Sequence, residues 1–357
     1  MTVDGQTIRA RFQECREQDL RATPERRFLC RWEITRELHC WTGISDILRW
    51  ISHIEIQSAD LAHTSWTLPY GAPELSLVER SAAFNNVVFK ELFGKQQVLH
   101  RNLDFYNMTD WVLQHAYPRP VDDRLERILD FGAGFGRQAA LWLTSEKPTT
   151  YVAMDAVELP YVAQTHYLSN SKFPLVEYLD DPGHFRIAED GATARAFHLP
   201  AWRYDLLPSD FFDMIACVQV LPEIREDVLF HSLGLFRRIL RPGGYLYIRD
   251  QAPQDTWRPG AWMPGHAQIV PALLPSFGFR CEFAPQWRDG NDVHGLPQVW
   301  RRVDGPCPTP PTVRHRLKAV QRLIRRVRYS RYATSSGYTV RPFRGGGIDI
   351  RATRAPR

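Results

Sequence analysis

Residues 128–137 read Ile128-Leu129-Asp130-Phe131-Gly132-Ala133-Gly134-Phe135-Gly136-Arg137. An apolar strand ends at Asp130, the chain turns through Gly132, Gly134 and Gly136, and a helix is expected over Gln138–Leu143. Glycine has no Cβ, so the backbone can take positive φ and a ligand can come up against the main chain. The start of the helix adds unpaired N–H groups and the positive end of a dipole, which suit a carboxylate or a phosphate. A second strand, Tyr151–Met154, leads to Asp155 one βαβ step later, where an acid can accept both hydroxyls of a ribose. The dinucleotide fingerprint G-x-G-x-x-G would need its third glycine at position 137, which is Arg137, so the loop departs from that pattern.

The downstream chain carries three further signals. Phe212-Asp213-Met214-Ile215-Ala216-Cys217 reads as a strand, and Val220-Leu221-Pro222-Glu223 lies at its tip. A helix over Asp227–Leu240 ends in Arg241-Pro242-Gly243-Gly244, where glycine would supply the left-handed cap and proline the stop. Tyr245-Leu246-Tyr247-Ile248 then forms a strand. The glycine loop, the F-D-apolar strand, the V-L tip and the L-R-P-G-G-x-L turn occur in family order over about 120 residues. In this the chain resembles the class I S-adenosylmethionine (SAM)-dependent methyltransferases.

That resemblance implies a doubly wound, seven-stranded, Rossmann-like sheet, with SAM bound at the carboxyl ends of its strands. The strands are expected at Arg127–Asp130, Tyr151–Asp155, Arg195–Leu199, Phe212–Val218 and Tyr245–Arg249, with a late hairpin near Phe279–Phe283 and Gln298–Val303. It also implies that Asp130, Gly132, Ala133, Gly134 and Gly136 hold the methionine end of the cofactor. Asp155, with Ala156 beside it, falls to the ribose. Arg137 is either a contact to the cofactor carboxylate or a solvated helix residue. Many relatives bind the adenine amino group with an acid or amide shortly before the fourth strand, but here that place holds Ala201-Trp202. Trp202 either stacks on adenine or is a core tryptophan, and Asp205 is a candidate for the missing polar contact. Gln219 is expected at the tip of the fourth strand, next to the transferred methyl.

A hydroxyl acceptor needs a base within hydrogen-bond reach and with a pKa near the working pH, which histidine offers unperturbed. Candidates are Glu223, Asp250, His266 and His294, all in loops beyond strand ends. An Asp250–His294 pair would orient the imidazole. Tyr106, Arg249 and His266 are candidate acceptor contacts. The glycine loop together with Leu199-Pro200-x-Trp202, Tyr247-Ile248-Arg249-Asp250 and Asp292-Val293-His294-Gly295 resembles bacterial sugar O-methyltransferases over roughly residues 85–303. No Asp-Asp pair follows the fifth strand, so the magnesium site used by some of those enzymes is not indicated and no metal is expected.

Composition fits an ordinary globular protein, 44% hydrophobic and 24% charged. The six cysteines form no C-x-x-C pair, which points to neither zinc nor a disulfide framework. No apolar run approaches the roughly 20 residues of a membrane span, and the first residues lack a signal-peptide layout, so a cytoplasmic location is expected. Charge is uneven. Thr312–Arg357 holds 12 arginines, one lysine and one aspartate, a net +12 against +5 for the whole chain, which leaves −7 for the remainder.

Three segments follow. Residues 1–122 read as a helical lid region, with helical spacing in Pro24–Leu38, Ile44–Ala62 and Leu75–Phe93 and tryptophans 32, 41, 50 and 66 as buried aromatic surface. Within it, Asn102–Tyr117 either closes over the cofactor or forms a surface helix. Residues 123–304 are the catalytic core. Residues 305–357 hold a proline linker, Pro306–Pro311, then a basic helix over Val313–Tyr329 and glycine-rich stretches. The basic tail is a candidate contact for an acidic partner, a membrane surface or another subunit.

The expected activity is methyl transfer to a hydroxyl of a small polar molecule, a sugar or sugar-bearing natural product, and a role in natural-product biosynthesis would follow. The alternative is N-methylation of an amino acid, amino sugar or other small amine. Nucleic-acid methylation is disfavoured by the acidic body and by Gln219-Val220-Leu221-Pro222 in place of N-P-P-Y. The intact glycine loop argues against a non-catalytic SAM-binding protein.

Overall fold

The computed structural model describes residues 5–24, 72–94, 110–111, 113–115, 125–145, 148–188, 194–221, 224, 226–250, 270, 273–283, 296–303, 338–342 and 348–352. Among the described residues, α1 (Gly5–Ala22) and α2 (Ala72–Phe93) precede β1 (Arg127–Phe131) and α3 (Arg137–Ser145). Then come β2 (Thr150–Asp155), α4 (Glu158–Ser169), β3 (Leu175–Glu177) and β4 (Arg195–Pro200). They are followed by β5 (Phe212–Val218), α5 (Glu226–Ile239), β6 (Leu240–Asp250), β7 (Phe279–Phe283) and β8 (Leu296–Arg302). In the tail, β9 (Tyr338–Pro342) and β10 (Ile348–Ala352) pair antiparallel as a separate two-stranded sheet.

Among the described residues the main sheet has eight strands, in the order β3-β4-β2-β1-β5-β6-β8-β7, so the expected seven is corrected by one. The additional strand is β3, three residues long at the edge, pairing parallel with β4. It follows Pro174 and is too short for period-2 patterning to show. β8 is antiparallel to both β6 and β7. The chain runs outward from β1 through β2 and then returns to β5 on the other side of β1. That reversal opens a crevice at the carboxyl ends of β1 and β5.

The central strands are almost wholly apolar because helices cover both faces. On one face Leu129, Phe131, Val152, Met154, Phe197, Leu199, Ile215 and Cys217 pack with α1 and α5. On the other, Ile128, Tyr151, Ala153, Ala196 and Met214 pack with α2 and α3. α4 contributes to both clusters. From α1, Ile8, Phe12 and Leu20 enter the first cluster, and Asp19 accepts hydrogen bonds from Trp202 Nε1 (2.8 Å) and the Tyr178 hydroxyl (2.7 Å).

Two sequence motifs prove structural. Asp213 is buried at the start of β5, where it accepts the backbone N–H groups of Glu126 (3.0 Å) and Arg127 (2.8 Å) and pairs with Arg127 and Arg241. It thus ties the amino ends of β1, β5 and β6 together, away from the crevice. Gly243 has φ +76, but it does not cap α5. The helix ends at Ile239, and the N–H groups of Asp210 and Phe211 bond the carbonyls of Arg238 and Ile239. Leu240 pairs with Phe212 and Tyr245 with Met214, so Gly243 sits in the irregular stretch of β6 between those pairs.

Candidate active site

The glycine loop folds back on β2 at once: the N–H groups of Gly132 and Ala133 donate to Met154 O at 2.8 and 3.1 Å. Gly136 N–H then bonds Ala133 O, and α3 begins. Gly132 and Gly134 lie at φ +70 and +55, a region closed to most L-residues. A Cβ on Gly132 would stand 2.5 Å from Val220 Cγ2, so the loop touches the tip of β5. A Cβ on Gly136 would strike the Tyr167 ring at 2.8 Å. A Cβ on Gly134 would meet nothing within 4 Å, so this is the one position of the three that faces open space.

Asp155, at the end of β2, is buried and already ordered. Its Oδ2 accepts Gly134 N–H (2.9 Å) and Gln164 Nε2 (3.2 Å), and its Oδ1 accepts Val157 N–H (2.9 Å). Burial nevertheless outweighs these donors and raises its carboxyl from 3.8 to about 6. Asp130 is buried and accepts the Tyr151 hydroxyl at 2.7 Å. Burial and that neighbouring carboxylate push the Tyr151 phenol well above its ordinary range. Gln219 takes φ +58 at the tip of β5 and its N–H donates to Arg249 O at 2.7 Å. Such a backbone is uncommon in a non-glycine residue.

A small apolar cavity opens beside these strand ends. Phe131, Gly132, Met154, Asp155, Ala201, Ile224, Val228 and Ser232 line it. Ser232 Oγ is fully buried there and has no hydrogen-bond partner among the described residues. Trp202 does not share it. Its ring is fully buried, edge-on to Phe12 at 4.7 Å, and its N–H is committed to Asp19. The stacking role is therefore corrected: Trp202 anchors α1, and its neighbour Ala201 faces the cavity. Asp205 is drawn to Arg203. Ser232 escapes sequence reasoning because it sits inside α5, away from every motif. The only local signal is a hydroxyl on the apolar side of that helix.

Arg249 lies in a buried bidentate ion pair, its Nε and Nη2 donating to Asp110 at 2.6 and 2.7 Å. Asp110 also accepts the Tyr247 hydroxyl and Gln138 Nε2 (3.2 Å). Burial and Asp110 together raise the Tyr247 phenol well above its ordinary range. Asp110 and Trp111 are buried, so this part of Asn102–Tyr117 is packed against β6 and α3 rather than exposed. Tyr106, Glu223, His266 and His294 lie outside the described residues, as do the side chains of Arg137 and Asp250, the linker, the expected tail helix and the four early tryptophans.

A family profile for a methyltransferase domain matches residues 99–302, more than half of the chain. The chain belongs to the methyltransferase-domain family. Residues 99–302 form its methyltransferase domain, and the strand order is that of a doubly wound, Rossmann-like sheet. A search of curated protein sequences finds no match.

Solved structures similar to this methyltransferase include phosphoethanolamine N-methyltransferase 1 of Haemonchus contortus, with phosphoethanolamine and S-adenosylhomocysteine (12% identity, 69% of this chain and 54% of that one, TM-score 0.44). Its chain is matched over only about half its length. Another is the 1,6-didemethyltoxoflavin-N1-methyltransferase of Burkholderia thailandensis (18% identity, 67% and 93% covered, TM-score 0.40). A third is the CurJ carbon methyltransferase (16%, 72% and 71%, TM-score 0.40). No described helix of the methyltransferase is long and apolar enough to cross a membrane.

Proposed function

We propose that this methyltransferase transfers the methyl group of SAM to a hydroxyl of a small polar molecule, a sugar or a sugar-bearing natural product. The residues present fit the cofactor: an open glycine position, an ordered acid one step away, and an orphaned hydroxyl in an apolar cavity. Asp130 and the loop from Gly132 to Gly136 would hold its methionine end and Asp155 its ribose, with adenine on the side of Ala201 and Ser232, where the present cavity would have to widen to admit it. When bound, SAM supplies a methyl group on a good leaving group, so no acid is required. The chain has to position the acceptor and take its proton.

The observation that carries the hydroxyl reading is the register of β6 against β8. Asp250 pairs with Leu296, and His294 lies two residues before Leu296 in sequence. We read that register as support for the Asp250–His294 pair expected from the sequence, beyond the strand end where the methyl would be delivered. An imidazole there, oriented by the carboxylate, would accept the hydroxyl proton. Gln219, beside Arg249 on the neighbouring strand, would position the acceptor.

The test is incubation with SAM and a panel of sugars, glycosides, amino acids, amino sugars and RNA, read by mass spectrometry for the gain of one methyl in place of one hydrogen, with fragmentation to locate it. Methylation of a hydroxyl is expected. A product methylated only on nitrogen would overturn the reading, since an amine can be methylated by positioning alone.

A further inference from the structure

His198 lies in the middle of an apolar strand, on β4, and is fully buried. Such a residue is ordinarily a self-contained structural device, its polar atoms satisfied by near neighbours. Here the contacts continue to the cofactor side of the sheet. Gln164 Nε2 donates to Gly134 O (2.6 Å) and to Asp155 Oδ2 (3.2 Å), both of which can only accept. That fixes the amide: its Oε1 must face His198 Nε2, 3.1 Å away, so Nε2 carries a proton and donates. On the other side Nδ1 faces Glu177 Oε2 at 2.7 Å. The second carboxylate oxygen of Glu177 accepts the Tyr161 hydroxyl and Leu179 N–H, as an ionised carboxylate does. Thr165 Oγ1, 3.3 Å from Nδ1, donates its own proton to Tyr161 O. Both ring nitrogens therefore face acceptors. The Tyr161 ring stacks on the imidazole, with centroids 3.6 Å apart and planes 16° from parallel.

We propose that His198 is a positioning residue for the cofactor's ribose. Held by Glu177 as a ring that donates at both nitrogens, it fixes the amide of Gln164, and Gln164 sets the Asp155 carboxylate and the Gly134 carbonyl. The chain Glu177–His198–Gln164–Asp155 runs from the outer edge of the sheet to the glycine loop and gives Asp155 one orientation before the ligand arrives. Preorganisation of this kind is realised as affinity, because the ordering is not paid for on binding. The proposal rests on the reading that Asp155 meets the ribose hydroxyls.

The experiment measures binding of S-adenosylhomocysteine and of its 2′,3′-dideoxy analogue by calorimetry, so no turnover is needed. Asp155→Ala tests the ribose reading. Gln164→Met keeps the bulk and removes the link. Glu177→Gln/His198→Phe removes both partners together, so that neither is left buried without the other. His198→Gln keeps an N–H donor on β4. Each variant is first checked for a cooperative thermal transition.

The expected result is that Gln164→Met and the double variant weaken S-adenosylhomocysteine about 10- to 100-fold, the worth of a hydrogen bond to a charged group. Their loss on the dideoxy analogue should be several-fold smaller, limited to what the Gly134 contact contributes, and His198→Gln should recover most of the ribose-dependent part. A merely structural role would weaken both ligands alike. Equal losses on the two ligands, or none, alongside a ribose-dependent loss in Asp155→Ala, would overturn the relay and leave the ribose reading standing. No ribose-dependent loss in Asp155→Ala would remove that reading and the proposal with it.

Discussion

Replacing Asp155 with asparagine separates the stability of the fold from its affinity for cofactor. Burial raises the Asp155 carboxyl from 3.8 to about 6 in the folded chain. Between those values the folded protein holds a proton that the unfolded chain has released, so raising the pH across this window favours unfolding. The penalty is absent below the unfolded value and complete above about pH 6. At 1.36 kcal/mol per pKa unit, the ionised carboxylate costs about 3 kcal/mol of stability at neutral pH. The amide of the variant cannot titrate. The wild-type chain should therefore lose about 3 kcal/mol relative to Asp155→Asn as the pH rises from about 3 to about 7, roughly two thirds of it between about 4 and about 6. A constant offset from altered hydrogen bonding leaves that slope untouched. Binding should run the other way: ribose hydroxyls donate to the ionised carboxylate. Wild-type affinity for S-adenosylhomocysteine should fall by up to about tenfold per pH unit below about 6, and the variant's affinity should be weaker and flat. Urea unfolding and calorimetry at stepped pH read the two quantities. Parallel stability curves for the two proteins, or a wild-type affinity that ignores pH, would refute the reasoning.

Gly134→Val should fold, at a cost of about 1–2 kcal/mol for its positive φ, yet lose cofactor binding; Gly132→Ala should lower the melting temperature further, because its Cβ also meets Val220. Thermal melts with calorimetry distinguish the two, and a Gly134→Val chain of wild-type affinity would contradict the loop assignment. Asp110→Ala leaves the Arg249 guanidinium buried without its carboxylate and should destabilise by about 3–5 kcal/mol in urea titration. Ser232→Ala should leave stability near wild type, since its hydroxyl has no partner to lose among the described residues, and weaken S-adenosylhomocysteine by about tenfold if that hydroxyl meets adenine. His294→Ala should reduce turnover about 10²–10⁴-fold with cofactor affinity unchanged, and should remove a limb near the histidine pKa from the pH–rate profile; a mutant that keeps rate and limb would pass the role of base to Glu223 or His266.

Phe212–Val218 was legible because burial on both faces makes it a nearly continuous apolar run, and Phe279–Phe283, an edge strand with only its two phenylalanines buried, also falls where the sequence puts it. β3 was not legible, since three residues carry no periodicity. Glycine chemistry located the loop between β1 and α3, but the same chemistry misled at Gly243. There a left-handed glycine serves a strand irregularity, because other N–H groups had already satisfied the end of α5. Trp202 shows a different limit. Its position in the chain suits adenine, but the direction of its side chain is set by Phe12 and by Asp19, which is 183 residues away in sequence. His198 and Ser232 belong to no motif. A buried polar atom becomes informative only when its partners, or their absence, can be counted in space.

The grip of α1 on the sheet bears on how this protein can be cut. The family domain spans residues 99–302, and a fragment trimmed to those limits would look complete by alignment. It would lack Ile8, Phe12 and Leu20, which complete one core cluster, and Asp19, the acceptor for Trp202 and Tyr178. It would also lack α2, whose Leu77, Val78, Val88 and Phe89 belong to the other cluster. Such a fragment would expose aromatic rings on both sides and strand an indole N–H and a phenol in what had been interior. The unit that a family profile delimits and the unit that folds by itself are therefore not the same length here, and expression trials should keep everything from Gly5 onward.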